Sequence, residues 1–198
     1  MIVGIILSAG ESKRMGTPKQ LLPWGKTTIL QQVIDNAQAS RLGMILLVLG
    51  SGADDIAGKI TISSKTHTIV NHNFKAGMSS SVKCGIKNAP AEAEAYMLLL
   101  GDQPFIGPDI INNLIDSYHT GRHGIIVPVY NWQRGHPVIF DTKYKKELLS
   151  IDGQGAKEVI EKHAYDIFEV HVDSPNVLTD IDTPQDYQKA LGQAGEQQ

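Results

Sequence analysis

"MIVGIILSAGESKRMGTPKQLL", Met1 to Leu22, opens the chain with a short apolar run and then breaks into a small, polar, basic segment. A run that is continuous rather than alternating reads as a strand covered on both faces. "MILLVL" from Met44 and "AYMLLL" from Ala95 share the pattern, and each run ends in glycine or in the Ser-Ala-Gly turn. Weaker strand candidates are "HTIV" at His67, "GIIVPVY" at Gly124, "HPVIF" at His136 and "YDIFEVHV" at Tyr165.

Helical patterns lie between these runs. Thr28 to Ala39 places Ile29, Leu30, Val33, Ile34 and Ala37 at 3.6-residue spacing, with Thr27 or Thr28 as the N-cap. Ser79–Asn88 reads as a second helix, and Asp109–Tyr118 as a third, with Pro108 suited to its first turn. Later helices are expected over Lys143–Leu149, Gln154–Lys162 and Pro184–Ala190. Strands alternating with helices predict an α/β architecture with a mainly parallel sheet. The chain has no repeat, low-complexity segment or interdomain linker, so residues 1–198 read as one domain with a flexible tail over 192–198.

Composition narrows the function classes. Hydrophobic residues are 41% and charged residues 20%, as in an ordinary globular protein, and the net charge of -3 gives no global basic field for nucleic acid or an anionic membrane. No apolar stretch approaches the ~20 residues of a membrane span. The Met1 end lacks the basic region of a signal peptide. Cys84 is the one cysteine, which excludes an internal disulfide and a multi-cysteine zinc site and agrees with a cytoplasmic location. It reads as a small residue packed in a helix rather than a reactive thiol.

In parallel sheets, ligands bind beyond the carboxyl ends of the strands. That rule selects Ser8–Lys19, Gly50–Asp54, Asn71–Ser81 and Gly101–Pro104. In the first loop, Gly10 and Gly16 allow close backbone approach and positive φ, and successive N–H groups there can cradle an anion. Arg14 offers a planar fork to phosphate oxygens and Lys19 a point charge. The spacing is neither a Walker pattern nor a dinucleotide fingerprint. Composition alone leaves a phosphate cradle and an ordinary surface loop both open.

Asp102 follows an apolar strand and precedes Pro104; it is either a Mg²⁺ ligand or a turn residue. "TDIDTPQDY" supplies Asp180 and Asp182, although a helix opened by Pro184 needs a cap from Asp182 or Thr183, and taken alone the cap is the better reading. "NFKAGMSSSVKCG" places Ser79, Ser80 and Ser81 after Gly77; capping needs one serine, so the excess points towards a ligand. In "NWQRGHPVIF", His136 is a substrate contact or a packed residue in preference to a general base. His67, His119 and His163 read as solvated or edge positions.

Taken in order, these segments resemble the MobA-like nucleotidyltransferases, and most closely their molybdenum cofactor cytidylyltransferase branch. The likeness is carried by Leu7, Ala9, Gly10, Ser12, Arg14, Met15, Gly16, Lys19, Leu21, Leu22 and Pro23. Gly77-Met78-Ser79-Ser80-Ser81, Gly101-Asp102-Gln103-Pro104, Arg134-Gly135-His136-Pro137 and Asp180-Ile181-Asp182-Thr183-Pro184 extend it over nearly the whole chain. Two places depart. Ser8 stands where the family usually has alanine. "DGQGAK", Asp152–Lys157, displaces an acid and has lysine for the family's arginine, which keeps the charge and loses the fork.

The resemblance implies a Rossmann-like, three-layer fold. It implies transfer of CMP from CTP to the terminal phosphate of molybdenum-molybdopterin, with release of pyrophosphate. Arg14, Lys19 and Asp102 would be catalytic. Leu7, Ser8, Ala9, Gly10, Ser12, Arg14, Gly16, Lys19, Gly77, Ser79, Ser80 and Ser81 would bind the nucleotide. Asp102 with Asp182, or Asp180 in its place, would hold Mg²⁺. Arg134, Gly135, His136 and Lys157 would meet the acceptor. The implied partners are CTP, a molybdopterin-type substrate and a molybdenum hydroxylase apoenzyme, with no nucleic acid and no membrane. Two alternatives stand beside this: the same transfer with another nucleotide or phosphorylated acceptor, and a non-catalytic carrier of the cofactor.

Overall fold

The computed structural model describes residues 1–153 and 155–195. Its strands are β1 (Ile2–Ser8), β2 (Pro23–Trp24), β3 (Thr27–Thr28), β4 (Met44–Leu49), β5 (Thr66–Val70), β6 (Ala95–Leu100), β7 (Ile125–Tyr130), β8 (Gln133–Arg134), β9 (Val138–Asp141) and β10 (Ile167–His171). Its helices are α1 (Ile29–Ala39), α2 (Ala53–Ala57), α3 (Met78–Asn88), α4 (Pro108–Thr120), α5 (Lys145–Leu148), α6 (Lys157–Lys162) and α7 (Pro184–Gly195).

The apolar patterns become the sheet and its two covers. β4 and β6 coincide with the runs from Met44 and Ala95. In α1, Thr28 is the cap: its side chain accepts a hydrogen bond from the Gln31 amide at 3.3 Å, and Ile29, Leu30, Val33, Ile34 and Ala37 are all buried. The main sheet runs β10-β7-β9-β6-β1-β4-β5, with β8 paired to β7. β1 is parallel to both β4 and β6, β4 to β5 and β7 to β10; β9 runs antiparallel to β6 and β7. One apolar layer joins the sheet to Leu30 and Val33 of α1 and Ile111 and Leu114 of α4. The opposite layer joins it to Val82 and Ile86 of α3, Leu148 of α5 and Val159 of α6. The result is the expected three-layer α/β arrangement.

Several segments differ from the sequence expectation. α2, β2, β3 and β8 are too short to carry a hydrophobic period. The helix expected from Lys143 begins as a 3₁₀ turn over Thr142–Tyr144. That expected from Gln154 begins at Lys157, and Gln154 itself lies outside the described residues. Ala164–Asp166 form a 3₁₀ turn before β10. α7 continues to Gly195, into the stretch expected to be a loose tail, while residues 196–198 lie outside the described part. His163 is not solvated: Glu147 holds its Nε2 at 3.0 Å and its ring packs 4.6 Å from that of Tyr144.

Topology places the site. From β1 the sheet grows one way through β4 and β5, then restarts on the other side of β1 with β6. The loops after β1 and β6 therefore part at their carboxyl ends, the switch point where such sheets take ligands. Among the described residues, no helix is long and apolar enough to cross a membrane.

Candidate functional site

The loop after β1 is folded on itself by two residues of unequal visibility in sequence. Gly16 adopts φ 69°, which glycine accepts without strain, and Ser12 adopts φ 51°, which is uncommon for other residues. The Met15 amide donates to the Ser12 carbonyl at 2.9 Å, closing a turn. Ser12 Oγ accepts from the Lys19 amide at 3.2 Å and donates to Gln20 Oε1 at 3.1 Å. Gln20, buried, donates from Nε2 to the carbonyls of Gly10 and Ser8 at 3.2 and 3.4 Å. Gln20 thus ties the loop's two ends together, a role marked in the sequence only by its place between Lys19 and the Leu21-Leu22 pair.

This fold aims Lys19 at the end of β6. Its ammonium spans two carboxylates, donating to Asp102 Oδ2 at 2.5 Å and Asp182 Oδ1 at 2.8 Å. Arg14 Nη2 donates to the other oxygen of Asp182 at 2.8 Å. Burial opposes the charge on Lys19, but Asp102 and then Asp182 outweigh it and hold its pKa above the ordinary lysine value. Burial likewise opposes ionisation of Asp182, and Lys19 and Arg14 outweigh it, so Asp182 is depressed. Asp180 is exposed at the rim, yet protein crowding its carboxyl, with the Asp102 charge, raises its pKa against a 2.6 Å hydrogen bond from Gln103 Nε2.

The chain reaches this point from a distant segment. The Ile181 amide donates to the Asp102 carbonyl at 3.2 Å, docking the 180–182 loop on the end of β6. Thr183 and Asp186 cap α7 reciprocally: Thr183 Oγ1 accepts from the Asp186 amide at 3.2 Å, and Asp186 Oδ2 accepts from the Thr183 amide at 2.9 Å. Asp182 is therefore free of capping and available to Lys19, against the reading its sequence context favours.

A cavity of about 410 Å³ opens here, within the size range of small-molecule sites. Leu7, Ser8, Ala9, Gly10, Arg14, Lys19, Gly77, Ser81, Asp102, Asp180 and Asp182 line it, together with Glu11, Gln20, Phe74, Lys75 and Met78, which sequence reasoning did not single out. Ser12 and Gly16 shape the loop from outside its lining. Four carboxylates face three cationic side chains in the lining. A polyphosphate entering alone would meet repulsion, so the donor set suits an anion that arrives with a cation. Asp102 Oδ1 is buried with no hydrogen-bond partner among the described residues. Among the described residues, no group of three or more His, Cys, Asp or Glu side chains stands ready as a metal cage. Two carboxylates plus ligand phosphates are the way Mg²⁺ is commonly held.

The remaining predicted residues are dispersed. Ser79 and Ser80 line a neighbouring cavity of about 430 Å³ on the outer side of α3, with Lys83, Lys87 and Asp152. Asn71 Nδ2 donates to Ser80 Oγ at 2.8 Å and Ser81 Oγ at 3.1 Å, so two of the three serines are spoken for by the first residue of their own segment. Arg134 is exposed and held by Glu169 of β10, with Nη2 to Oε1 at 2.7 Å. Lys157 is exposed and faces Glu161 at 3.6 Å. Neither lines the cavity. The Gly135 backbone is pressed against the Val177 carbonyl, where a side chain would collide. His136 is half-buried; burial lowers its pKa and the charge of Asp102 opposes this, which puts the ring within electrostatic reach of the site.

Residues 4–167 match the family model of the MobA-like NTP transferase domain. The chain belongs to that family. This MobA-like nucleotidyltransferase is 30% identical over 187 residues to the molybdenum cofactor cytidylyltransferase of Escherichia coli (strain K12), covering 92% of each chain. It is 25% identical over 201 residues to the nicotine blue oxidoreductase of Paenarthrobacter nicotinovorans, covering 96% of each. Its structure superposes on Rv0371c of Mycobacterium tuberculosis H37Rv with a TM-score of 0.86 at 30% identity, covering 96% of this chain and 97% of that one. A structure of Rv0371c in complex with manganese gives 0.82 at 29% identity. The family match holds Arg14, Lys19 and Asp102 and stops short of Asp180 and Asp182; Asp182 joins this cluster through its contact with Lys19.

Proposed function

We propose that this protein transfers CMP from CTP to the terminal phosphate of molybdenum-bound molybdopterin, giving the cytosine dinucleotide cofactor and pyrophosphate. One observation carries the reading: Lys19 bridges Asp102 and Asp182 at the switch point, with Arg14 behind it. The identity to the Escherichia coli cytidylyltransferase over 92% of both chains supports the choice of CTP and acceptor.

The chemistry asks for positioning and charge neutralisation. An oxygen of the acceptor phosphate, already ionised, attacks the α-phosphorus of CTP. The bond from that phosphorus to the bridging oxygen of the β-phosphate breaks, and pyrophosphate leaves with the electron pair. No general base is required, so His136 serves as a contact beside the acceptor. The loop amides around Gly10, with Arg14 and Lys19, hold the triphosphate and the departing pyrophosphate. Ser81, Gly77 and Met78, which also line the cavity, would meet the nucleoside.

A divalent cation, Mg²⁺ in this reading, neutralises phosphate oxygens when bound. Asp102 and Asp182 would hold it; Asp102 Oδ1, without a partner among the described residues, the excess of carboxylate in the lining and the hard oxygen donors fit such an ion. Asp180 is the weaker second ligand, because burial of its carboxyl and the Asp102 charge raise its pKa and Gln103 already engages it. Arg134 and Lys157 contribute least, since neither lines the cavity. Residues 1–198 work as one domain in the cytoplasm and pass the product to a molybdenum hydroxylase apoenzyme.

The test is pyrophosphate release with CTP, GTP, ATP or UTP, Mg²⁺ and reduced molybdenum-molybdopterin. CTP is expected to react fastest. A preference for GTP would overturn the base choice. Release with none of the four would remove transfer altogether and leave a cofactor carrier.

A further inference from the structure

Two buried polar atoms in this cavity have no hydrogen-bond partner among the described residues: Asp102 Oδ1 and Ser8 Oγ. They are neighbours in the fold. Leu7 of β1 pairs with Leu100 of β6, and the Gly101 amide donates to the Leu7 carbonyl at 3.0 Å, so Ser8 lies across from Gly101-Asp102. Ser8 is only 4% exposed and lines the cavity. A side chain at Gly101 would meet Ser8 Cβ and Oγ at 2.8 Å, so the glycine leaves the space that the hydroxymethyl group fills. An unpaired buried hydroxyl costs stability, and alanine would fill the same backbone position without that cost.

What satisfies both atoms is constrained by their chemistry. An ionised carboxylate oxygen can only accept, whereas a hydroxyl can donate or accept. A phosphate oxygen would suit Ser8 but be repelled by Asp102. A hydrated divalent cation suits both: its charge answers the carboxylate, and its bound water donates to the hydroxyl. We infer that Ser8 is a positioning residue, whose hydroxyl holds a water carried by the divalent cation that Asp102 binds. The inference rests on the reading that this edge takes a divalent cation.

The experiment compares the full-length chain with Ser8→Ala and Ser8→Cys. Mn²⁺ alone is titrated and followed by its electron paramagnetic resonance signal; CTP binding is measured separately in chelator. Both variants are expected to bind Mn²⁺ about 10-fold more weakly. Any loss of metal-free CTP affinity should be smaller than the loss of Mn²⁺ affinity, since the hydroxyl acts through the ion. Ser8→Ala should melt about 2–4 °C higher, because an unpaired hydroxyl is gone. Unchanged Mn²⁺ affinity overturns the inference. So does a loss confined to metal-free CTP binding, which would assign the hydroxyl to the nucleotide. A lower melting temperature for Ser8→Ala would also overturn it, since the hydroxyl would then be bonded in the free protein. Failure of CMP transfer leaves the Mn²⁺ comparison standing, whereas a wild-type chain that binds no Mn²⁺ ends this inference and the metal part of the proposed function together.

Discussion

Lys19 sets the charge balance of the site, because it is the cation between Asp102 and Asp182. Asp102 is the more informative partner to change, since one of its oxygens holds Lys19 and the other has no partner among the described residues. Asp102→Asn keeps an oxygen for Lys19 and removes the carboxylate charge. The Mg²⁺ concentration for half-maximal pyrophosphate release should rise about 10-fold or more, as for lost metal-site contacts. An unchanged Mg²⁺ titration would place the ligand elsewhere, with Asp182 and Asp180 next. Arg14, Lys19 and Asp102 could be placed because they lie in loops that follow apolar runs, where a parallel sheet presents its ligand edge, while their roles were implied by the family resemblance. The roles of Gln20, Asn71 and Gln103 were not legible. These residues act by hydrogen bonds that only the folded chain creates, Gln103 to Asp180 across 77 residues. Asp182 was misleading for the opposite reason: a local cap explains it in sequence, and only the fold shows Thr183 and Asp186 doing the capping.

Helix α3 connects the core to the cavity, and one glycine sets its distance from the sheet. Gly85 is buried against Ile5 of β1 and Val48 of β4; an added Cβ would collide with Ile5 Cγ2 and lie 3.4 Å from Val48 Cγ2. Alanine improves intrinsic helix propensity by about 1 kcal/mol, but overpacking a core costs about 1–3 kcal/mol. Overpacking should win, because the colliding methyl belongs to a central strand that cannot retreat. Gly85→Ala is expected to lower the melting temperature by about 2–6 °C; an unchanged or higher value would show that α3 shifts freely. Elements of this kind were readable from sequence where the pattern was long: α1, α4, β4 and β6 each carry a complete apolar period or run. The antiparallel direction of β9 was not, because pairing with β6 and β7 is decided by partners up to 46 residues away in sequence (Ala95 to Asp141). Arg134 shows the same limit: its strand β8 turns it to Glu169 on β10, a contact that no local pattern announces.

At the scale of the molecule, the sheet order brings three remote segments to one edge. β1 supplies the loop with Arg14 and Lys19, β6 supplies Asp102, and the segment before α7 supplies Asp182. The Ile181-to-Asp102 backbone bond closes this assembly. In the proposed function this assembly serves nucleotidyl transfer, and Lys19 works on the triphosphate. The decisive comparison is pyrophosphate release from CTP, with Mg²⁺ and reduced molybdenum-molybdopterin, by the wild-type chain and by Lys19→Ala. The wild-type chain should release one pyrophosphate for each dinucleotide formed. Lys19→Ala should lose about 100-fold or more of that rate, as when one preorganised charge-stabilising donor is removed, while still melting cooperatively. Wild-type turnover in a folded Lys19→Ala chain would contradict the account.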